Sequence, residues 1–251
     1  MSSGGSPTPR ISAVVPALNE APSIERVVKG LKAQPLLASG EVIVVDNGST
    51  DGTGEIATRA GARDVREERR GYGHACLTGV LAAEDAEVIV LLDGDAADEP
   101  DDLPLVLAPL LSGEADLVVG SRTLGKRDRG SMTWQQIFGN RLASFMMRAI
   151  YGVRVTDVGP FRAIRREDLL TLDMREMTYG WPSEMIVKAA RAGYRYREVP
   201  VSYRRRIGVS KVGDTIVNSL KVGWHIISTI LRYSRWKPAG AEQRAGKRIS
   251  K

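Results

Sequence analysis

Residues 88–95 read VIVLLDGD: Val88, Ile89, Val90, Leu91 and Leu92, then Asp93 and Asp95 on either side of Gly94. An apolar run with no polar alternation is the mark of a strand buried on both faces, as in a parallel sheet covered by helices. Working outward from it, Ile11–Pro16 (ISAVVP), Val42–Val45 (VIVV) and Leu117–Gly120 (LVVG) repeat the pattern, with a shorter strand at Arg63–Glu67. The stretches between them carry helical spacing. A helix is predicted to open at Asn19-Glu20-Ala21 and run to Lys32, with Ile24, Val27, Val28 and Leu31 on one face; others span Thr53–Ala60, His74–Ala83 and Pro104–Leu111. Strands alternating with helices predict an α/β fold with a single Rossmann-like, mostly parallel sheet flanked by helices.

After Arg122 the pattern loosens. Trp134–Tyr151 reads as a long amphipathic helix, Asp157–Ile164 as a turn into a strand, Ser183–Ala192 as a helix, Tyr194–Tyr203 as a strand and Asp214–Tyr233 as a last helix. The expected organisation is a disordered leader over 1–10, one domain over 11–211, a C-terminal amphipathic helix within 212–236 and a disordered basic tail over 237–251. The leader, MSSGGSPTPR, has no apolar core and so does not read as a signal peptide. No run of 18 uncharged apolar residues occurs, so no transmembrane helix is predicted.

At 43% apolar and 26% charged residues the composition is that of a packed globular protein. The net charge of +6 is uneven. Residues 191–251 hold 15 of the 36 basic residues and three of the 30 acidic ones, or +12, leaving −6 for the rest. A basic end favours an anionic partner such as a phosphate or an acidic membrane surface. The single cysteine, Cys76, excludes an internal disulfide and falls in an apolar helical pattern that suits packing.

In doubly wound sheets ligands bind beyond the carboxyl ends of the strands. The polar motifs lie at those ends: Asn19-Glu20, Asp46 to Asp51, Asp93 to Asp95 and Ser121-Arg122. The carboxylates of Asp93 and Asp95, one residue apart at the end of a buried strand, can share one ligand. A hard divalent cation bridging a diphosphate needs one or two carboxylates plus phosphate oxygens. Asp46 leaves its strand toward the same crevice, where it can accept from a base N–H or a ribose hydroxyl, whereas Ser49 and Asp51 also suit helix capping. Most of Asp98, Glu99, Asp101 and Asp102 read as a solvated, acidic helix start. His74 is placed to meet a nucleotide or to cap a helix, and His225 is expected on the surface.

Together VVPALNE, VIVVDNGSTDGT, GYGHACLTG, VIVLLDGD and LVVGSR resemble, in order and spacing, the family 2 glycosyltransferases, which are inverting enzymes of the GT-A fold. The downstream GPFRAIRRE and YGWPSEMIVKAARAGYRYREVPVSYRRRIGVSK are similar to the polyprenyl- and dolichyl-phosphate sugar synthases within that family. The likeness runs from about Ile11 to about Lys221. It implies that Pro16, Ala17, Glu20 and Asp46 line the nucleotide, with Asn47 and Gly94 completing the nucleotide-sugar set. It implies that Asp93 binds ribose or metal, and that Asp95 ligates Mg²⁺ or Mn²⁺. Arg122 would contact the acceptor or donor phosphate, and Arg206 and Lys211 would close over the phosphates. The chain departs from the family pattern in Asn47 where a second Asp is usual, in Ala97 where Gln or Ser often follows the metal-binding Asp, and in a turn before Phe161-Arg162 that is one residue tighter. With Ala97 there, Asp98 or water is left to complete the metal shell.

The reaction implied is attack of an acceptor oxygen on the anomeric carbon as a nucleoside diphosphate leaves, from a donor of the UDP-glucose or GDP-mannose type. A lipid-phosphate acceptor is already ionised; a hydroxyl acceptor needs a base, for which Asp157 and Glu184 are the candidates. Arg204–Lys211 is a basic loop containing Gly208 and Ser210, suited to phosphate recognition and gating. In the last helix Ile216, Leu220, Trp224, Ile227 and Leu231 form a stripe flanked by Lys221, Arg232 and Arg235, which suits a membrane interface, the domain or a second copy of the chain. The expected location is the cytoplasm, at the cytoplasmic face of a membrane. A soluble transferase acting on a hydroxyl is the alternative. A nucleotidyltransferase lacks its Gly-rich basic loop here, a dehydrogenase lacks G-x-G-x-x-G, and a basic binding module, nucleic-acid binding included, leaves the paired aspartates unexplained.

Overall fold

The computed structural model describes residues 9–208 and 216–238. The expected leader up to residue 8, the tail from residue 239 and Lys211 lie outside the described residues. The sheet has seven strands: β1 (Ile11–Ala17), β2 (Val42–Asp46), β3 (Arg63–Arg66), β4 (Val88–Leu91), β5 (Leu117–Ser121), β6 (Arg162–Arg165) and β7 (Tyr196–Pro200). Their spatial order is β3-β2-β1-β4-β6-β5-β7. β1 lies parallel between β2 and β4, with Val15 opposite Val44 and Ala13 opposite Val90. β6 is antiparallel to both its neighbours. The reason is local: Asp157 already sits beside Arg122 at the carboxyl end of β5, so the strand that follows it has only the way back down.

The continuous apolar strands are buried on both faces, as their lack of alternation predicts. Val14, Ile43, Val45, Ile89 and Leu91 enter the core on one face, while Ala13, Val15, Val44, Val88 and Val90 enter the core on the other. The first face is covered by α3 (Tyr72–Ala82), α5 (Trp134–Tyr151) and α7 (Trp181–Arg191); the second by α1 (Ile24–Lys32) and α4 (Leu103–Leu111). The predicted helices are present, with α2 at Thr53–Arg59. The first one starts at Ile24 rather than Asn19, because Asn19 adopts φ 50° and the backbone N–H groups of Ser23 and Ile24 close a turn on the Glu20 carbonyl. A short helix, α6 (Arg166–Thr171), has no counterpart in the sequence reading.

The last helix, α8 (Ile216–Arg232), packs on α5 and α7. No helix among the described residues is long and apolar enough to cross a membrane. The apolar junction between α7 and the C-terminal segment, with Met185, Ile230 and Tyr233 in one cluster, also buries an ion pair. Glu184 and Lys188 are both fully buried and paired at 2.6 Å. Lys188 also donates to the Asp173 carbonyl at 2.6 Å and lies 4.5 Å from the centre of the Tyr233 ring. Glu184 accepts from the backbone N–H groups of Arg175 at 2.9 Å and Glu176 at 2.7 Å. The pair thus ties α7 to the 173–176 segment and to the chain following α8. Removing one member strands a buried charge, so Lys188→Ala is expected to destabilise the protein by about 3–5 kcal/mol in urea unfolding, and the double variant Glu184→Gln/Lys188→Met by clearly less.

Candidate active site

The carboxyl ends of β1, β2 and β4 open onto a cavity of about 370 Å³. Pro16, Ala17 and Glu20 line it from the β1 side, and Asn47 from the β2 side. Asp93, Gly94 and Asp95 form its wall after β4, and Arg206 closes it from the basic loop. The site residues expected from the sequence therefore converge, with exceptions. Asp46, at the end of β2, is not on the cavity wall; its Oδ1 accepts from the Ser49 N–H at 2.7 Å. Ser49 and Asp51 do not cap α2 as N-cap residues, a place taken by Gly52. Asp51 nevertheless caps the helix start, its Oδ1 accepting from the N–H of Thr53, the first residue of α2, at 3.1 Å, and both residues join the β2 turn to the β1 turn: Ser49 Oγ accepts from Asn19 N–H at 2.9 Å, and Asp51 Oδ2 from Ala21 N–H at 3.1 Å.

Asp95 is buried, and its charge is answered twice. Its Oδ1 accepts from the Ala97 N–H at 2.9 Å and its Oδ2 pairs with the Arg206 guanidinium at 2.8 Å. The turn that aims it holds Ala96 at φ 57°, a left-handed conformation costing an L-residue about 1–2 kcal/mol. Asp93 accepts from the Tyr72 hydroxyl at 3.0 Å. Burial, with the Asp95 charge adding to it, pushes the Asp93 carboxyl up to about 7 against the opposing pull of Tyr72. Asp98 corrects the sequence reading of a solvated acid: it is 2% exposed. Neither of its carboxylate oxygens has a hydrogen-bond partner among the described residues. Burial, and the charges of Asp93 and Asp95, hold its carboxyl well above the carboxylate range.

Asp157 and Arg122 form a bidentate pair, with Arg122 Nε at 2.7 Å from Oδ2 and Nη2 at 2.7 Å from Oδ1. Asn140 donates to the same Oδ1 at 2.7 Å. Burial raises the Asp157 carboxyl, but the guanidinium outweighs it and leaves it below its ordinary value. Glu184, the other candidate base, lies outside the cavity in the anchor described above.

Tyr72, Arg70, Thr178 and Tyr179 also line the cavity, and the sequence reading did not assign them there. Their signal is Gly71-Tyr72-Gly73. The segment around Met177 crosses so closely that a Cβ on Gly71 would stand 2.3 Å from the Met177 carbonyl oxygen, and one on Gly73 2.3 Å from that of Glu176. Gly71 also has φ 148°, which L-residues rarely adopt. Asn47 explains its own departure from a second Asp. Its Nδ2 donates to the carbonyls of Glu67 at 2.9 Å and Arg69 at 2.8 Å, while its Oδ1 accepts from Gly71 N–H at 2.9 Å. A carboxylate cannot make the first two bonds.

An oxygen-rich wall of paired aspartates facing a guanidinium, at the carboxyl edge of parallel strands, has the chemistry that a diphosphate held with a divalent cation requires. No cluster of three or more metal-ligating side chains occurs among the described residues. The family model "Glycosyl transferase family 2" matches residues 12–172, and the chain belongs to that family. It is a transferase. An uncharacterized glycosyltransferase of Mycobacterium tuberculosis is 37% identical over 224 residues, covering 87% of this chain and 98% of the relative. The dolichyl-phosphate hexose transferase of Haloferax volcanii is 38% identical over 197 residues, covering 76% and 81%. Among solved structures, glucosyl-3-phosphoglycerate synthase from M. tuberculosis in complex with Mn²⁺, UDP-glucose and phosphoglyceric acid superposes with a TM-score of 0.69 at 27% identity, covering 92% of this chain and 81% of that one.

Asn47→Asp would leave two carbonyls without donors and face them with a negative charge. The expected cost is about 1–3 kcal/mol of stability, read by urea unfolding, with proteolysis appearing first in the 67–71 segment.

Proposed function

We propose that this chain transfers a sugar, with inversion, from a nucleoside-diphosphate sugar of the UDP-glucose or GDP-mannose type to a polyprenyl-phosphate-like acceptor. The observation that carries the acceptor class is the state of the two candidate bases. Asp157 is locked to Arg122 and Asn140 and held below its ordinary pKa. Glu184 is paired with Lys188 inside the protein. An acceptor already ionised at neutral pH needs no base, and a phosphate monoester is such an acceptor.

Asp95 and Asp93 would hold Mg²⁺ or Mn²⁺ together with diphosphate oxygens. The oxygen donor set and the partnerless Asp98 carboxylate close by fit a hard cation. When bound, the cation neutralises charge developing on the leaving diphosphate. The chain's own residues do the rest. Pro16, Ala17 and Glu20 receive the nucleoside, and Gly94 lets the turn between the carboxylates pack closely against Ala17 and Ile24. Arg206, 28% exposed and already at Asp95, is placed to follow the diphosphate, and Lys211 comes five residues later in the sequence. Arg122 offers the acceptor phosphate Nη1, the guanidinium nitrogen that Asp157 does not occupy.

A second observation supports a lipid acceptor. Trp134, Phe138 and Phe145 are 72%, 64% and 69% exposed on one face of α5. Arg141 and Arg148 are exposed on the same face. The adjoining α8 exposes Lys221, Trp224 and Leu231, and Arg235 is exposed just beyond its end. Aromatic and basic side chains interleaved on two packed helices suit an anionic bilayer surface, with the enzyme peripheral to the cytoplasmic face of a membrane. A small phosphorylated acid, as in the crystallised synthase, gives these exposed rings no role.

Calorimetry with and without Mn²⁺ tests the donor half. One nucleotide diphosphate is expected to bind only with metal, and Asp95→Ala to weaken it by roughly 100-fold, about 2.7 kcal/mol. Absence of binding by UDP, GDP and their sugars to the folded protein with Mn²⁺ present would contradict the reading.

A further inference from the structure

Thr178 and Tyr179 reach the donor cavity from residues 176–180, a stretch that belongs to no helix or strand. Such a stretch has no ladder of its own, so its position is set by what grips it from either side. On one side the Met177 carbonyl accepts from the N–H groups of Gly73 at 3.0 Å and His74 at 3.3 Å. On the other lies α8, so close that a Cβ on Gly180 would stand 2.5 Å from Thr229 Oγ1. The stretch also carries a buried charge, Glu176, which is 7% exposed. Its Oε1 accepts from the Thr178 hydroxyl at 2.5 Å and from the Thr178 N–H at 3.3 Å.

Two cationic side chains of α8 meet that carboxylate. Arg232 Nη1 stands 3.4 Å from Oε2, and His225 Nδ1 3.9 Å from Oε1. The Thr178 hydroxyl has one proton and gives it to Glu176, so toward His225 Nδ1, 3.2 Å away, it can only accept. His225 therefore carries a hydrogen on Nδ1 and donates it to Thr178. We infer that Glu176, clamped by Arg232 and His225, is a positioning residue for the donor: it sets where Thr178 and Tyr179 stand and, through them, the affinity for the nucleotide sugar. A buried carboxylate that loses its cations is drawn back toward water, and the stretch that carries it moves with it. The last helix thus acts on the donor cavity without lining it. This inference rests on the donor half of the reading above and adds the residues that hold the cavity's outer wall.

The test is calorimetry on the full chain with Mn²⁺ and UDP or GDP, whichever binds, comparing wild type with Arg232→Met, Arg232→Lys and Glu176→Gln. Arg232 and His225 are 60% and 41% exposed, so the clamp is modest and Kd is expected to rise about three- to fivefold in Arg232→Met and in Glu176→Gln. The two substitutions together are expected to cost no more than either alone, because they remove one shared contact. Arg232→Lys keeps the charge and is expected to keep most of the affinity. Amide hydrogen exchange over 177–180 is expected to quicken in Arg232→Met and Glu176→Gln. Ile230→Val trims the buried packing of α8 and is expected to lower Tm while leaving Kd unchanged, which separates positioning from stability. Wild-type affinity in both Arg232→Met and Glu176→Gln, or an equal loss in Ile230→Val, would overturn the positioning role and leave the donor reading standing. A folded wild type that binds neither nucleotide with Mn²⁺ present would overturn both.

Discussion

Charge buried at the carboxyl edge of a sheet that is covered on both faces is the constraint around which this molecule is arranged. A carboxylate there is cut off from bulk water and must be answered by a donor, by a cation or by a proton. Asp157 is answered by Arg122 and Asn140, and Asp95 by Arg206 and a backbone N–H. Asp93 has only the Tyr72 hydroxyl, and burial beside Asp95 brings it to about 7. Asp98 has no hydrogen-bond partner among the described residues. The pairing thins out toward β4, so the carboxyl groups that burial leaves inclined to hold a proton gather at the point where a cation and a diphosphate would enter.

The same arrangement divides the edge of the sheet into two regions. On the β1, β2 and β4 side the cavity is floored by short backbone turns tied to one another by side chains, as Asp51 and Ser49 tie the β2 turn to that of β1. On the β5 and β6 side the antiparallel strand brings Asp157 under Arg122 and fixes that guanidinium at the border between the cavity and the two outer helices. Arg122, 4.9 Å from the centre of the Tyr203 ring, and Arg206, paired with Asp95, bring two guanidinium groups close to the aspartates.

Much of this is legible in the residues. Unbroken apolar runs gave the buried strands and, with the acids at their ends, the location of the site. What was hidden has physical causes. The direction of β6 depends on where the chain stands after a long helix, which no local pattern encodes. Asp98 looks like a helix-start acid because Glu99, Asp101 and Asp102 surround it, yet it alone among them is buried without a partner. Tyr72 and the 177–179 segment reach the cavity through the close approach that Gly71 and Gly73 permit. The amphipathic pattern of α5 left open which face is covered: only Ala143 and Met147 are buried, and Trp134, Phe138 and Phe145 lie on the exposed side.

The central claim is that the paired aspartates after β4 hold a divalent cation jointly with a nucleotide diphosphate. The most direct measurement is anomalous diffraction at the manganese edge from crystals grown with Mn²⁺ and the nucleotide that binds. The account predicts one strong peak about 2.1 Å from a carboxylate oxygen of Asp95 and in contact with the diphosphate, with Arg206 moved off Asp95. A bound nucleotide with no peak at these aspartates, or with manganese elsewhere and the Arg206–Asp95 pair intact, would contradict it.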